Sequence, residues 1–423
     1  MIDPKHFIGV PRVTMAVLML SVFTVSMGFG IVLPALPFLL DARTGGDVAQ
    51  VSRDTGLLTG LYTFSLFLFA PAWGRLSDRH GRRGILLLGL LGFSVTSLAF
   101  AFFESLSAIY AERFLSGLFA AAVTPVALAA VADLAGDETA RARGLTFVSI
   151  AGVGGFLLGP MMGVFIARSA VFLLPGLGNL GTLVIPLSVN AVIALLAALA
   201  VVFFLPMKLN GRASTAPALS SAQNGSLVLR LLALAFIVSA AVGVFEVGLA
   251  LRGKQELGLT QYQIALMFTE CSLVMLVVQA IVFSPLISPA TTRWLIVPSF
   301  AILAVGLFLI PRASDFTLML VATGAVAASA GILSPILTYW ISSKAGAAQG
   351  AQLGQQTGAA SLGAAIGATA GGILFDVAWL PNASFILVTV VILIGAALSI
   401  RLPGLLVSRY VTELGAGPRS SHH

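Results

Sequence analysis

The chain is built from apolar runs as long as a bilayer is thick. Residues 14–40 contain no Asp, Glu, Lys or Arg, and neither do 55–73, 85–103, 144–167, 184–205, 316–340 or 353–375. A helix of about 20 such residues crosses the hydrocarbon core. Inside lipid every backbone amide and carbonyl needs a partner within the protein, which leaves helices and closed barrels. Barrel strands alternate polar and apolar over about ten residues. These runs are longer and uniformly apolar, so they predict an all-α polytopic membrane protein.

Reading the runs between polar breaks predicts about 12 transmembrane helices. The first six lie near 14–40, 55–73, 85–103, 107–132, 144–167 and 184–205. The second six lie near 229–251, 261–284, 293–310, 316–340, 353–375 and 384–402. This arrangement predicts two pseudo-symmetric six-helix bundles, 1–206 and 229–423. The stretch "MKLNGRASTAPALSSAQNGS" begins at 207 and is rich in Gly, Ser, Ala and Asn. It predicts a flexible cytoplasmic linker over 207–228. The leader "MIDPKHFIGVPR" precedes a run with no small-residue cleavage site, so the first span is expected to stay in the membrane.

Basic residues set the expected orientation. One set of links carries Lys5, Arg12, Arg75, Arg79, Arg82, Arg83, Arg141, Arg143, Lys208, Arg212, Arg230, Arg293, Lys344, Arg401, Arg409 and Arg419. The other carries Arg43, Arg53, Arg168, Arg252, Lys254 and Arg312. Both termini are therefore expected in the cytoplasm. The net charge of +7 is mostly loop charge, which reads as a topology signal and not as nucleic-acid binding. A single cysteine, Cys271, excludes an internal disulfide and a cysteine-built metal site. The sequence holds no Gly-x-x-x-x-Gly-Lys-Ser/Thr run and no zinc-type histidine cluster. Neither enzymatic activity, ATP-driven pumping, a metal nor a cofactor is expected.

Ionisable groups at bilayer depth are functional candidates by default, because each costs about 2.5–3.5 kcal/mol to insert. The candidates are Glu112, Arg113, Glu246 and Glu270. Glu112 and Arg113 are neighbours pointing about 100° apart on a helix, so they need not pair. Glu270, in "LMFTECSLVMLVVQ", has no Lys or Arg within a helical turn. It is the expected principal proton or cation site. Glu246, in "VGVFEVGLAL", lies nearer its helix end and within reach of Arg252 or water. Asn190, Gln279, Tyr339 and Trp340, together with Glu270, are tentative substrate-binding residues. They stand among apolar and aromatic groups that suit amphipathic compounds.

Short motifs add a specific resemblance. "GRLSDRHGRRG", 74–84, resembles the loop signature between spans two and three of the major facilitator superfamily, through Gly74, Leu76, Ser77, Asp78, Arg79, Gly81, Arg82 and Arg83. "GFGIVLPALP", 28–37, resembles the first-span motif of its drug:proton antiporter families. "IYAERFLSGLFAA", 109–121, resembles the fourth-span motif through Arg113 and Gly117. "GGFLLGPMMG", 154–163, resembles the fifth-span antiporter motif through Gly155, Gly159, Pro160 and Gly163. One departure stands out. Tetracycline and some multidrug exporters carry an acid upstream of the paired prolines, and "TVSMGFG" has none.

The resemblance implies a secondary transporter of the multidrug or tetracycline type, working by alternating access and sufficient as a monomer. It implies a proton-coupled exporter of small amphipathic compounds in a bacterial-type cytoplasmic membrane. It gives Arg113 a part in proton transfer and makes Gly74, Asp78, Arg79, Gly81, Arg82, Arg83 and Arg141 a conformational latch. Asp78 is expected to accept from the N-terminus of the eleventh span, near Ala347 to Gln355, or to pair with Arg82 or Arg141. The alternatives are a dedicated transporter of one metabolite, sugar or ion, and a non-transporting membrane sensor or lipid-handling protein.

Overall fold

The computed structural model describes residues 10–100, 103, 105–135, 138–173, 184–206, 222–282, 291–344, 349–377, 380 and 382–406. The expected linker over 207–221 and Ala347 lie outside them. Helices α1 (Arg12–Thr44), α2 (Val48–His80), α3 (Arg82–Phe100), α4 (Leu106–Ala120), α5 (Val123–Leu134), α6 (Glu138–Leu173) and α7 (Val184–Phe204) form the first half. The second half holds α8 (Ala222–Gln255), α9 (Gln261–Val282), α10 (Ile296–Leu309), α11 (Phe316–Lys344), α12 (Gln349–Ile373) and α13 (Ala383–Ser399). α4 and α5 follow end to end as one apolar span, and short 3₁₀ turns flank α10. α8 begins at Ala222, inside the stretch expected as linker.

Among the described residues, ten helical segments are long and apolar enough to cross a membrane. The expectation of about twelve differs at α12 and α13. α13 is apolar but has 17 residues. α12 is rich in Gly, Gln, Ala and Thr because it packs against helices on two sides, α8 and α2. Little of it needs a lipid-facing side chain.

Local signals delimit the helices. Asp47 caps α2 by accepting from Gln50 N–H at 3.1 Å. Gly81 ends α2 at φ +90°, a conformation that disfavours any side chain, and so allows α3 to begin at once. Pro34 and Pro37 lie inside α1, Pro71 inside α2, Pro160 inside α6 and Pro335 inside α11.

The packing repeats between the halves. In the first half α1 packs on α6, α2 on α4, and α3 on both α4 and α7. In the second half α8 packs on α12, α9 on α11, and α10 on both α11 and α13. Each partner is displaced by six spans, which is the internal repeat of a two-bundle transporter. The halves meet where α2 lies on α12 and α6 on α9. One end of the bundle carries the arginine-rich α2–α3 turn and is called the basic end. The other, with the α1–α2 and α8–α9 turns, is the far end.

Small faces bring backbones together inside each half. A methyl added at Gly155 would lie 2.2 Å from Phe23 O on α1, and one at Gly159 2.6 Å from Met27 O. The matching face of α12 does the same toward α8. There a methyl at Gly363 would meet Phe236 O at 2.4 Å, and one at Gly367 would meet Ala240 O at 2.0 Å.

Candidate functional site

Glu112 and Arg113 are buried on the seam between α2 and α4. Arg113 donates from Nε to Glu112 Oε2 at 2.7 Å and from a terminal nitrogen to Oε1 at 3.1 Å. Both side chains are buried. Sequence reasoning expected no necessary pairing between chain neighbours. The bidentate pair forms because long side chains can fold back on each other where neither has water. The guanidinium also lies 5.6 Å from the Tyr62 ring and 5.2 Å from that of Phe100. Tyr62 stacks on Phe29 at 5.1 Å, and Phe29 on Phe156 at 5.9 Å. An aromatic column from α2, α1 and α6 therefore runs from Arg113 toward the interface between the halves.

A second acid on this seam escaped the sequence reading. Asp54 on α2 is only 2% exposed. Its Oδ1 accepts from the Tyr110 hydroxyl at 3.0 Å and from Arg53 Nε at 3.2 Å. In the sequence it sits in the polar approach "DVAQVSRDTG" and reads as link. The available signal was helical spacing, since Asp54, Leu58 and Tyr62 recur every four residues and all three are buried.

In the second half Glu270 lies nine residues into α9, about 14 Å along the helix. Its Oε1 sits 2.8 Å from where a methyl on Gly324 of α11 would be, so Gly324 makes the room it occupies. Its Oε2 is buried with no hydrogen-bond partner among the described residues. Glu246 lies nine residues before the end of α8, at a similar depth. It does not meet Arg252, which instead pairs with Glu256 and donates to Ala313 O at 2.9 Å. Next to Glu270, Thr269 Oγ1 approaches Leu157 O of α6 at 3.5 Å. Glu270 is thus one residue from the interface between the halves.

The tentative substrate residues are not gathered in one place. Asn190 is fully buried inside the first half, next to Gly28 and Phe93. Gln279 is half-buried toward the basic end of α9. Tyr339 is partly exposed, and its ring meets buried Trp340 edge-on at 5.4 Å.

The charged loop binds within its own half. Arg82 is buried, donates to Asp133 Oδ2 of α5 at 2.9 Å and to Ser77 Oγ at 2.6 Å, and pairs with Asp78. Arg83 reaches Val202 O of α7. The Asp78 side chain is 58% exposed. A methyl on Gly74, or on Gly354 of α12, would meet nothing within 4 Å.

The far end is closed by contrast. A methyl on Gly56 would lie 2.6 Å from Gly372 Cα, and one on Gly60 2.1 Å from Thr369 Oγ1. Lys254 pairs with Asp41 across the halves at 2.8 Å, and Ser52 donates to Gln255 Oε1 at 3.0 Å. Arg168 of α6 stands over the Tyr262 ring of α9 at 4.7 Å. α2 and α12 therefore touch at the far end and diverge toward the basic end.

Two repeated helical bundles, sealed at one end, with charges buried at the depth of the interface, define a polytopic membrane transporter. The sequence matches the Major Facilitator Superfamily over residues 18–351, and the chain belongs to that family. It is similar to "Multidrug resistance protein 2" of Bacillus subtilis (strain 168), 28% identical over 385 residues, covering 88% of this chain and 91% of that protein. "Multidrug resistance protein 1" of the same strain is 27% identical over 400 residues, covering 92% and 96%. Among solved structures, a D-xylose–proton symporter superposes with a TM-score of 0.73 at 14% identity, covering 92% of this chain and 97% of that one.

Proposed function

We propose that this integral membrane protein exports small amphipathic compounds, drugs among them, in exchange for protons. The reading rests above all on Glu270. It is a membrane-depth carboxylate whose buried Oε2 has no partner among the described residues, one residue from the interface between the halves. A carboxyl so placed can bind and release a proton as the halves rock. The names of the two Bacillus relatives, both multidrug resistance proteins, support a drug substrate. The excess of arginine at the basic end supports a cytoplasmic basic end and cytoplasmic termini. The structure then corresponds to the state open to the cytoplasm. The chain works as a monomer, with Glu112, Arg113 and Glu246 completing the ion-coupling set and the α2–α3 turn helping to set the balance between states.

Proteoliposomes carrying an imposed pH gradient test the proposal. Efflux of a cationic dye should follow the gradient in the wild type, and Glu270→Gln should abolish that dependence. Dye movement that ignores the gradient, or a Glu270→Gln protein with unchanged pH dependence, would overturn it.

A further inference from the structure

Asp54 has no part in the mechanism just described, yet it is among the most deeply enclosed acids of the structure. Oδ1 holds two donors, Tyr110 and Arg53, while Oδ2 is buried with no partner among the described residues. A buried carboxylate oxygen left unpaired is costly and asks for a proton or a water. Ser65 Oγ and Ser116 Oγ, further along the α2–α4 seam, are likewise buried with no partner among the described residues. Arg53 connects the acid to solvent. Its side chain is 55% exposed and lines a far-end cleft of about 300 Å³, together with Asp47, Gln50 and Asp376. Two residues beyond Asp54 on α2, Gly56 presses on Gly372 at the seal.

We infer that Asp54 is a second proton-binding carboxyl, loaded from the far-end cleft and separate from Glu270. The proton comes from cleft water and bonds to Oδ2, while Tyr110 keeps donating to Oδ1. The neutral acid releases its hold on Arg53 at the edge of the α2–α12 seal. Other charged or titratable groups at this end of the packed elements are Asp47 on α2, Glu112 and Arg113 on α4, Asp41 and Arg43 on α1, Arg252 and Lys254 on α8, and Asp376 after α12. α3 and α5 bring none here. Asp41 pairs with Lys254, and Glu112 with Arg113, which leaves the unmatched oxygen on Asp54.

Two measurements test the inference, and only the first rests on the proton-coupled reading. With the membrane potential held at zero, each coupled proton multiplies the sustained dye gradient about tenfold per unit of pH difference. The wild type should sustain about 100-fold and Asp54→Asn about tenfold. Equal gradients in the two proteins, or a wild type that sustains only tenfold, would overturn a coupled proton on Asp54. A wild type that sustains none refutes the antiport reading itself, and the second measurement then decides on Asp54 alone. Infrared difference spectra on acidification should show a protonated-carboxyl C=O band that Asp54→Asn loses and Tyr110→Phe shifts. A band unchanged in Asp54→Asn refutes the assignment. If that variant does not fold, a band unmoved in Tyr110→Phe does so.

Discussion

The Gly56–Gly372 contact makes the far-end seal open to a specific perturbation. In Gly56→Ala the new Cβ would lie 2.6 Å from Gly372 Cα and 2.7 Å from both Ala368 O and Gly372 N. All three are backbone atoms, so no side chain can swing away. Carbon–carbon contacts settle near 3.5–4.0 Å, and α2 must therefore draw back from α12 by about 1 Å. Overpacking of this kind costs about 1–3 kcal/mol. The penalty falls on the sealed state alone, because opening the far end parts the two helices. The ratio of far-open to sealed molecules should rise about 5–150-fold. Ser52 lies on the seal, is 1% exposed and bonds to Gln255 across the halves. A Ser52→Cys reporter suits a membrane-impermeant maleimide, because the native Cys271 is buried. Labelling from the far side should be faster in Ser52→Cys/Gly56→Ala than in Ser52→Cys alone. Gly367→Ala is the control. Its Cβ would strike Ala240 O within the second half, so it should lower thermal stability without exposing the reporter. A folded Gly56→Ala protein that labels no faster would refute this account of the seal.

Three further substitutions test what the buried charges contribute to stability. Glu112→Gln leaves Arg113 buried without its counter-charge, and stability in detergent should fall by about 3–5 kcal/mol, read as a lowered midpoint of unfolding. Arg82→Ala removes contacts to Asp133, Ser77 and Asp78 inside the first half and should lower the melting temperature. Asp78→Asn, at an exposed side chain, should leave stability nearly unchanged, within about 1 kcal/mol.

Much of the fold is readable from the sequence, because lipid forces each span to be long, apolar and helical. α12 departs from that rule. Its outer surface is largely replaced by protein, so its composition reports small-residue contact and not hydropathy. The site is less legible for a related reason. Glu112, Arg113 and Glu270 announce themselves by standing inside apolar runs. Asp54 does not, because it lies two turns into a helix whose first turns look like a link. For Asp78 of the α2–α3 turn the sequence left open a contact across the halves or a nearby arginine, and here Arg82 pairs with it locally. A contact four residues away and one to a partner half can look the same in a linear motif; only packing separates them.

The glycines show how the same residue type serves opposite ends. Gly155 and Gly159 press on α1, and Gly363 and Gly367 on α8, all within a half. Backbone contacts this close leave no room for sliding, so each half should move as a rigid unit. Gly56 and Gly372 face each other across the halves and hold only while the far end is shut. On α12, Gly371 abuts Val244 of α8 while its chain neighbour Gly372 meets Gly56 of α2. One helix turn thus carries a contact that should persist through the cycle beside one that must break. Rocking about α12 follows from that difference: the glycine faces inside the halves fix what moves together, and the contact between Gly56 and Gly372 fixes where it parts.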